Sequence, residues 1–315
     1  MGLESLLGNE RLKENLITSL RRGQHSHFYL IAGPKGSGKH TLARLLSAAM
    51  MCQSEMRPCL QCHACRKVLD GVHPDVIRVE DPEHKNVAVK IVRQFRDDVF
   101  IRPNEADYKV YILDQEMGIE GQNALLKILE EPPQHGVFLL LTDNPEKLLP
   151  TVRSRCVELQ MLPLNRQLLQ KQLRAQYPQA TEESIEAAIA RSGGYLGQAQ
   201  ELLANGETIP PQTEAVMQAI ADRDPLALTM VLVPMEKWKR EQFLEIMQQW
   251  LEILEGALAC RSGAQALHPL SSKLAGVRSA GELNDAIRAL QKAMEYAQGN
   301  VSVAAISSWL QWMLR

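Results

Sequence analysis

Gly33, Gly36, Gly38 and Lys39 stand in the stretch Phe28-Tyr-Leu-Ile-Ala-Gly33-Pro-Lys-Gly36-Ser-Gly38-Lys39-His40-Thr41. Glycines at these spacings let backbone N–H groups close around phosphate oxygens, and the terminal lysine brings a mobile positive charge. The consensus for such a loop places Ser or Thr directly after the lysine, where its hydroxyl binds Mg²⁺. Here His40 holds that position and Thr41 follows one residue late. Imidazole prefers softer metals than Mg²⁺, which takes oxygen ligands in octahedral geometry. The alternatives are therefore a nucleotide held without Mg²⁺ and a loop kept as scaffold.

A second constellation is sulfur. Cys52, Cys59, Cys62 and Cys65 repeat a two-residue spacing twice in succession. Four thiolates so placed can close tetrahedrally on Zn²⁺, and a site with four protein ligands leaves no position for a reacting water, so its role is structural. His63 and His73 are substitutes that a Cys₄ set does not need, and an iron–sulfur cluster or disulfides are the competing readings. Cys156 and Cys260 stand alone and read as buried thiols. A third group follows the apolar run Lys109-Val-Tyr-Ile-Leu-Asp114. An aspartate at the end of a strand, well after a phosphate loop, is a candidate Mg²⁺ carboxylate. Gln115 occupies the position where hydrolysing enzymes commonly carry a glutamate base, and an amide cannot accept a proton. Glu116 is one residue further on and is expected to point elsewhere.

These groups need elements to hold them. Periodicity predicts a helix over 3–22, a strand centred on Leu30 and Ile31, and a helix from Thr41 to Met50. Strand, glycine turn and helix together make the P-loop context. Further on come a strand in 73–79, a helix over 89–100, the strand 109–114, and a helix from Gly121 that stops at Pro132-Pro133. Val137 to Leu141 reads as a buried strand ending in Thr142-Asp-Asn144. From 164 to about 206 the pattern is helical and polar, and Pro210-Pro211 makes a stiff break. Beyond it Asp224-Pro225 is a helix N-cap and first position. Phe243, Met247, Trp250, Leu251 and Leu254 form one apolar stripe. A last helix carries Ile306, Leu310 and Met313.

The bulk properties narrow the function. The 315 residues carry a net charge of −2, no long basic run and 5% aromatic residues. That excludes a protein whose main task is coating nucleic acid or stacking bases. No apolar run reaches membrane-span length and no signal-peptide core is present, so a cytoplasmic protein with reduced thiols is expected.

The P-loop, the cysteine cluster after its helix, Asn123-Ala-Leu-Leu-Lys-Ile-Leu-Glu-Glu-Pro-Pro133 and Ser154-Arg155-Cys156 occur in this order. Together they resemble bacterial replicative clamp-loader subunits of the AAA+ ATPase class, strongly over residues 1–162. The resemblance implies an α/β P-loop domain with a zinc module at 52–65 (residues 1–162), a small helical lid (163–208) and an all-α collar for oligomerisation (209–315). It implies that Arg155 acts in trans as an arginine finger on a neighbouring subunit's γ-phosphate, since a guanidinium is always charged and stabilises charge on a transferring phosphoryl. Family members that hydrolyse ATP carry a phosphate-facing arginine on the lid, where this chain has Gly197. His40, Gln115 and Gly197 all count against Mg²⁺-ATP chemistry in the chain's own site, leaving Gly33, Gly36, Gly38, Lys39, Thr41 and Asp114 as a vestigial nucleotide site. The resemblance thus favours the stationary delta prime type, part of the DNA polymerase III holoenzyme and its clamp-loading ATPase but without turnover of its own. Its implied partners are the gamma/tau motor and delta subunits, with the sliding clamp and primed DNA reached through the complex. The motor type is the first alternative, and a zinc-ribbon P-loop protein that binds nucleic acid is a more distant one.

Overall fold

Gly8 and Asn9 break the predicted N-terminal helix in two, because both adopt left-handed backbone, φ +61° and +55°. A 3-10 turn at Gly2–Ser5 precedes them and α1 (Glu10–Arg21) follows. The structure, a computed structural model, describes residues 2–84, 86–204, 210–263, 268–299 and 301–314. The chain divides into two units, Met1–Ala204 and Asn205–Arg315.

In chain order the first unit continues with β1 (Phe28–Ala32), α2 (Lys39–Met51), α3 (His63–Leu69), β2 (Val76–Arg78), α4 (Val89–Asp98), β3 (Lys109–Leu113), α5 (Ile119–Glu130), β4 (Gly136–Thr142), α6 (Pro150–Arg153) and β5 (Val157–Gln160). The five strands are parallel in the order β2-β3-β4-β1-β5. This is the AAA+ arrangement that the motifs imply. Short edge strand β5, with mostly exposed residues, lacks the apolar run that announces the inner strands.

Every residue of β1 and β3 is buried. A parallel sheet is covered on both faces, which explains strands that are apolar throughout rather than alternating. Register does the rest. Phe28, Phe138 and Tyr111 lie opposite one another on β1, β4 and β3, and their rings stack at 4.4 Å and 5.4 Å. The same register sets Ala32 beside Thr142 at the C-terminal ends of β1 and β4. The segments leaving those ends therefore start side by side, at the edge where open α/β sheets bind ligands. Three further helices, α7 (Arg166–Gln176), α8 (Glu182–Arg191) and α9 (Leu196–Ala204), close a small core of their own around Leu169, Leu173, Ile185 and Ala199.

The second unit is helical: α10 (Pro211–Asp222), α11 (Pro225–Met235), α12 (Arg240–Arg261), α13 (Pro269–Val277), α14 (Ala280–Gln298) and α15 (Val303–Met313). Asp224 caps α11 by accepting from the backbone N–H of Leu226 and Ala227, as the Asp-Pro pair predicts. The expected stripe on α12 is buried, and Trp250 donates its indole N–H to Thr213 at 3.1 Å. Ile306 and Leu310 are buried too, but Met313 is exposed, although Leu314 beside it is buried in the same core. Leu226, Met230 and Val233 lie along one exposed side of α11. No helix among the described residues is long and apolar enough to cross a membrane.

Candidate functional site

A cleft of about 570 Å³ opens at the C-terminal edge of the sheet in the first unit. Gly36, Gly38, Lys39, His40, Thr41, Asp114 and Gly197 all line it. Gly36 and Gly38 have φ +78° and +94°, the left-handed backbone that a tight loop demands and that glycine adopts without a Cβ penalty. Gly33 lies one residue beyond β1, where its N–H bonds to Thr142 and extends the ladder.

Lys39 is already engaged. Its ammonium donates to the carbonyls of Gly33 (2.7 Å) and Pro34 (3.0 Å) and pairs with Asp143 at 2.5 Å, and the residue is only 7% exposed. A lysine Nζ has three protons, so all its donors are used within the protein. Asp143 played no part in the sequence reading; its one signal is its place directly after β4, which register sets next to Gly33.

His40 Nδ1 lies 3.7 Å from Asp114. An imidazole facing the carboxylate is a poor match to Mg²⁺, which demands oxygen ligands. Gln115 turns away from the cleft: its amide oxygen accepts from Asp81 N–H at 2.8 Å, and its amide nitrogen donates to the carbonyls of Asp81 and His84. Glu116 borders the cleft, but its carboxylate pairs with Lys147, which is not among the lining residues, at 2.5 Å.

Gly197, in the first turn of α9, lies against the phosphate loop. Its N–H donates to the Gly36 carbonyl at 3.0 Å. A Cβ on Gly197 would fall 2.6 Å from the Gly36 Cα, and one on Gly36 would fall 2.6 Å from the Gln198 nitrogen. Two backbones can approach so closely only because both residues lack side chains.

Arg155 is not among the cleft-lining residues. It follows α6 and is 38% exposed at its side chain. The guanidinium donates to the Thr151 carbonyl at 2.9 Å and to Glu130 at 3.1 Å. Gln122 braces the approach to α6. Buried at the start of α5, it donates to the carbonyls of Met117 (3.0 Å) and Lys147 (3.1 Å) and accepts from Leu149 N–H at 2.7 Å.

The four cysteines converge. Cys52 ends α2, Cys62 caps α3, and the sulfurs of Cys52, Cys59, Cys62 and Cys65 all lie within 4.8 Å of one another. Sulfurs at 2.3 Å from one zinc would stand about 3.8 Å apart, the edge of a tetrahedron. Cys59 and Cys65 are at 4.0 Å. The donors thus fit a structural zinc. Backbone N–H groups of Gln61 and Cys62 draw the Cys59 thiol down to about 6, while burial pushes Cys52 and Cys65 up. A bound dication reverses that upward push. Cys156 and Cys260 are half-buried rather than buried. Burial still raises the Cys156 thiol to about 11, leaving it inert.

The family model described as DNA polymerase III, delta subunit, matches residues 8–165. The chain is 34% identical over 208 residues to DNA polymerase III subunit tau of Bacillus subtilis, a match covering 64% of this chain and 37% of that one. It is 36% identical over 205 residues to DNA polymerase III subunit delta' of Pseudomonas aeruginosa, covering 63% and 62%. The matched part is thus less than two thirds of either relative. A Thermotoga maritima protein described as gamma subunit-related aligns over 96% of this chain and 99% of its own at 18% identity, with a TM-score of 0.40. With sheet order, loop and cysteine cluster in agreement, the chain belongs to the DNA polymerase III delta-subunit family, within the clamp-loader group that its motifs resemble.

Proposed function

We propose that the chain is the delta prime type of clamp-loader subunit, a stationary member that does not hydrolyse ATP and completes the site of a neighbouring motor subunit with Arg155. The observation that carries this reading is the state of the two charged groups. Lys39 has its three donors satisfied by Gly33, Pro34 and Asp143, whereas Arg155 stands half-exposed outside its own cleft. Gln115, bound to the 81–84 loop, supports it, because no base is then presented where water would be activated. An exposed cation reaching a neighbour's γ-phosphate supplies charge that strengthens as the phosphoryl group transfers.

The remaining parts follow. The zinc held by Cys52, Cys59, Cys62 and Cys65 would tie α2 to α3 and carry no chemistry. The second unit is the collar, and the exposed Leu226, Met230 and Val233 on α11 supply apolar surface for the motor and delta subunits. The sliding clamp and primed DNA are met through the assembled ring, in the cytoplasm. The motor reading retains one observation in its favour: Asp114, Thr41 and Glu116 still line the cleft.

The deciding experiment is ATP turnover by the chain alone and in a reconstituted complex. No turnover alone, with an Arg155→Ala complex that assembles but loses its DNA-stimulated ATPase, is the expected result. An arginine finger is worth roughly 10³–10⁵ in rate at a single site. Robust turnover by the isolated chain would establish the motor reading instead, and loss of assembly would remove Arg155 from the finger role.

A further inference from the structure

The helical lid meets the phosphate loop backbone to backbone. Gly197 N–H is one of the first-turn donors of α9, which have no partner within their own helix. It is satisfied by the Gly36 carbonyl at 3.0 Å. Gln198 next to it donates to the Lys35 carbonyl at 3.0 Å, and Glu201, one turn further on, pairs with Lys35 at 2.9 Å. Three contacts, at residues 197, 198 and 201, therefore bind one face of α9 to residues 35 and 36. On the opposite side of the loop Asp143 pairs with Lys39 at 2.5 Å. The carboxylate stands on the lysine as a phosphate oxygen would, a charge-assisted contact of the same geometry.

We infer that the lid of this chain is clasped to its phosphate loop by the protein itself, with Asp143 in place of a phosphate on Lys39 and the first turn of α9 seated on Gly36. The clasp holds lid and core in one arrangement without nucleotide. Gly197 is then more than the loss of an arginine. A residue with any side chain there would drive the helix off the loop, since even a Cβ comes within 2.6 Å of Gly36 Cα and 2.9 Å of its oxygen. A polyphosphate could enter only by displacing Asp143, whose exposed side chain leaves that exchange sterically open. The inference rests on the stationary reading and gives it a physical basis: a subunit whose lid is fixed by internal contacts offers a constant surface to its neighbours.

The test is hydrogen–deuterium exchange on the full chain, followed at the peptide containing residue 197, with and without excess ATP. The wild-type amide is expected to be protected equally in both conditions. Gly197→Ala is the informative variant, because alanine favours a helix over glycine and the lid helix itself should survive. Its amide should exchange roughly 5–10-fold faster, the worth of one hydrogen bond. Gly197→Ala combined with Asp143→Asn should bind ATP more tightly than wild type in equilibrium dialysis. Free exchange at residue 197 in the wild type, protection that appears only with ATP, or unchanged exchange in Gly197→Ala would overturn the clasp. So would a double variant that binds ATP no better. The Arg155 experiment uses the assembled complex and these use the isolated chain, so either reading can fail while the other stands.

Discussion

Gln122→Ala is the sharpest probe of how this unit positions Arg155. The side chain is 3% exposed and makes three hydrogen bonds, two to the carbonyls of Met117 and Lys147 and one from Leu149 N–H. Met117 belongs to the segment between β3 and α5, and Lys147 and Leu149 lead directly into α6 and on to Arg155. One amide thus staples the exit of the Asp114 strand to the arginine-bearing turn. At about 1 kcal/mol net for each bond, losing all three removes about 3 kcal/mol. For a unit of this size, that corresponds to a melting-point drop of roughly 6–12 °C. The assay is thermal unfolding followed by circular dichroism. Trp238, Trp250, Trp309 and Trp312 all lie in the second unit, so indole fluorescence serves as an internal control on that part of the chain. In the reconstituted complex, the same variant should lower DNA-stimulated ATPase more than assembly, because the turn carrying Arg155 loses its anchor. A destabilisation below about 1 kcal/mol would refute the reasoning, since it would mean that water or neighbouring groups replace the amide at little cost.

Two further predictions concern the cysteine cluster and acid stability. Cys59→Ser should lower bound zinc, read by colorimetric release, and increase protease cleavage within 52–65; full retention of zinc would refute the Cys₄ site. Acid should lower the stability of the first unit in two stages, read as the melting temperature by circular dichroism across pH. Burial lowers the His73 pKa below its usual 6.5, against the opposing pull of Glu105 and Asp75, so this part of the stability is present above 6.5 and is lost as pH falls from there towards the folded value. Burial raises Asp75, but N–H donors from Asn104, Glu105 and Ala106 outweigh it and hold the carboxyl below its usual 3.8. That contribution is intact above 3.8 and disappears only at lower pH. Asp75→Ala should remove the second stage and, with its pull on His73 gone, extend the first to lower pH.

Much of the site is legible in the chain because its signals are local. The glycine loop, the aspartate ending β3 and the paired Cys-x2-Cys spacings each report a geometry set within a few residues, and the cleft and cluster assemble from them. Asp143 carries no such signal. It reaches Lys39 because β1 and β4 are neighbours in a particular register, and that pairing joins residues more than a hundred positions apart. Gln122 is hidden for a similar reason. Its three partners come from two other segments, and nothing in the pattern of α5 distinguishes a bracing amide from a solvated one.

The departures from a working nucleotide site also read differently once they are placed. In sequence, Gln115, Gly197 and His40 are losses: a base, an arginine and a hydroxyl. In the structure, Gln115 bonds both the N–H and the carbonyl of Asp81, fixing the loop that precedes α4. Gly197 is what lets α9 touch the phosphate loop. Lys39, kept from the consensus, ties Gly33, Pro34 and Asp143 together. On the stationary reading proposed above, such contacts explain how the loop is kept without nucleotide chemistry. A phosphate-binding lysine without phosphate is a buried charge that must find partners or destabilise the fold. Here the partners are built in, so Lys39→Ala should cost stability in the absence of nucleotide, whereas in a motor subunit the same change would mainly cost ATP binding. Equal melting points for Lys39→Ala and wild type, measured without nucleotide, would mean that the loop waits for a ligand after all.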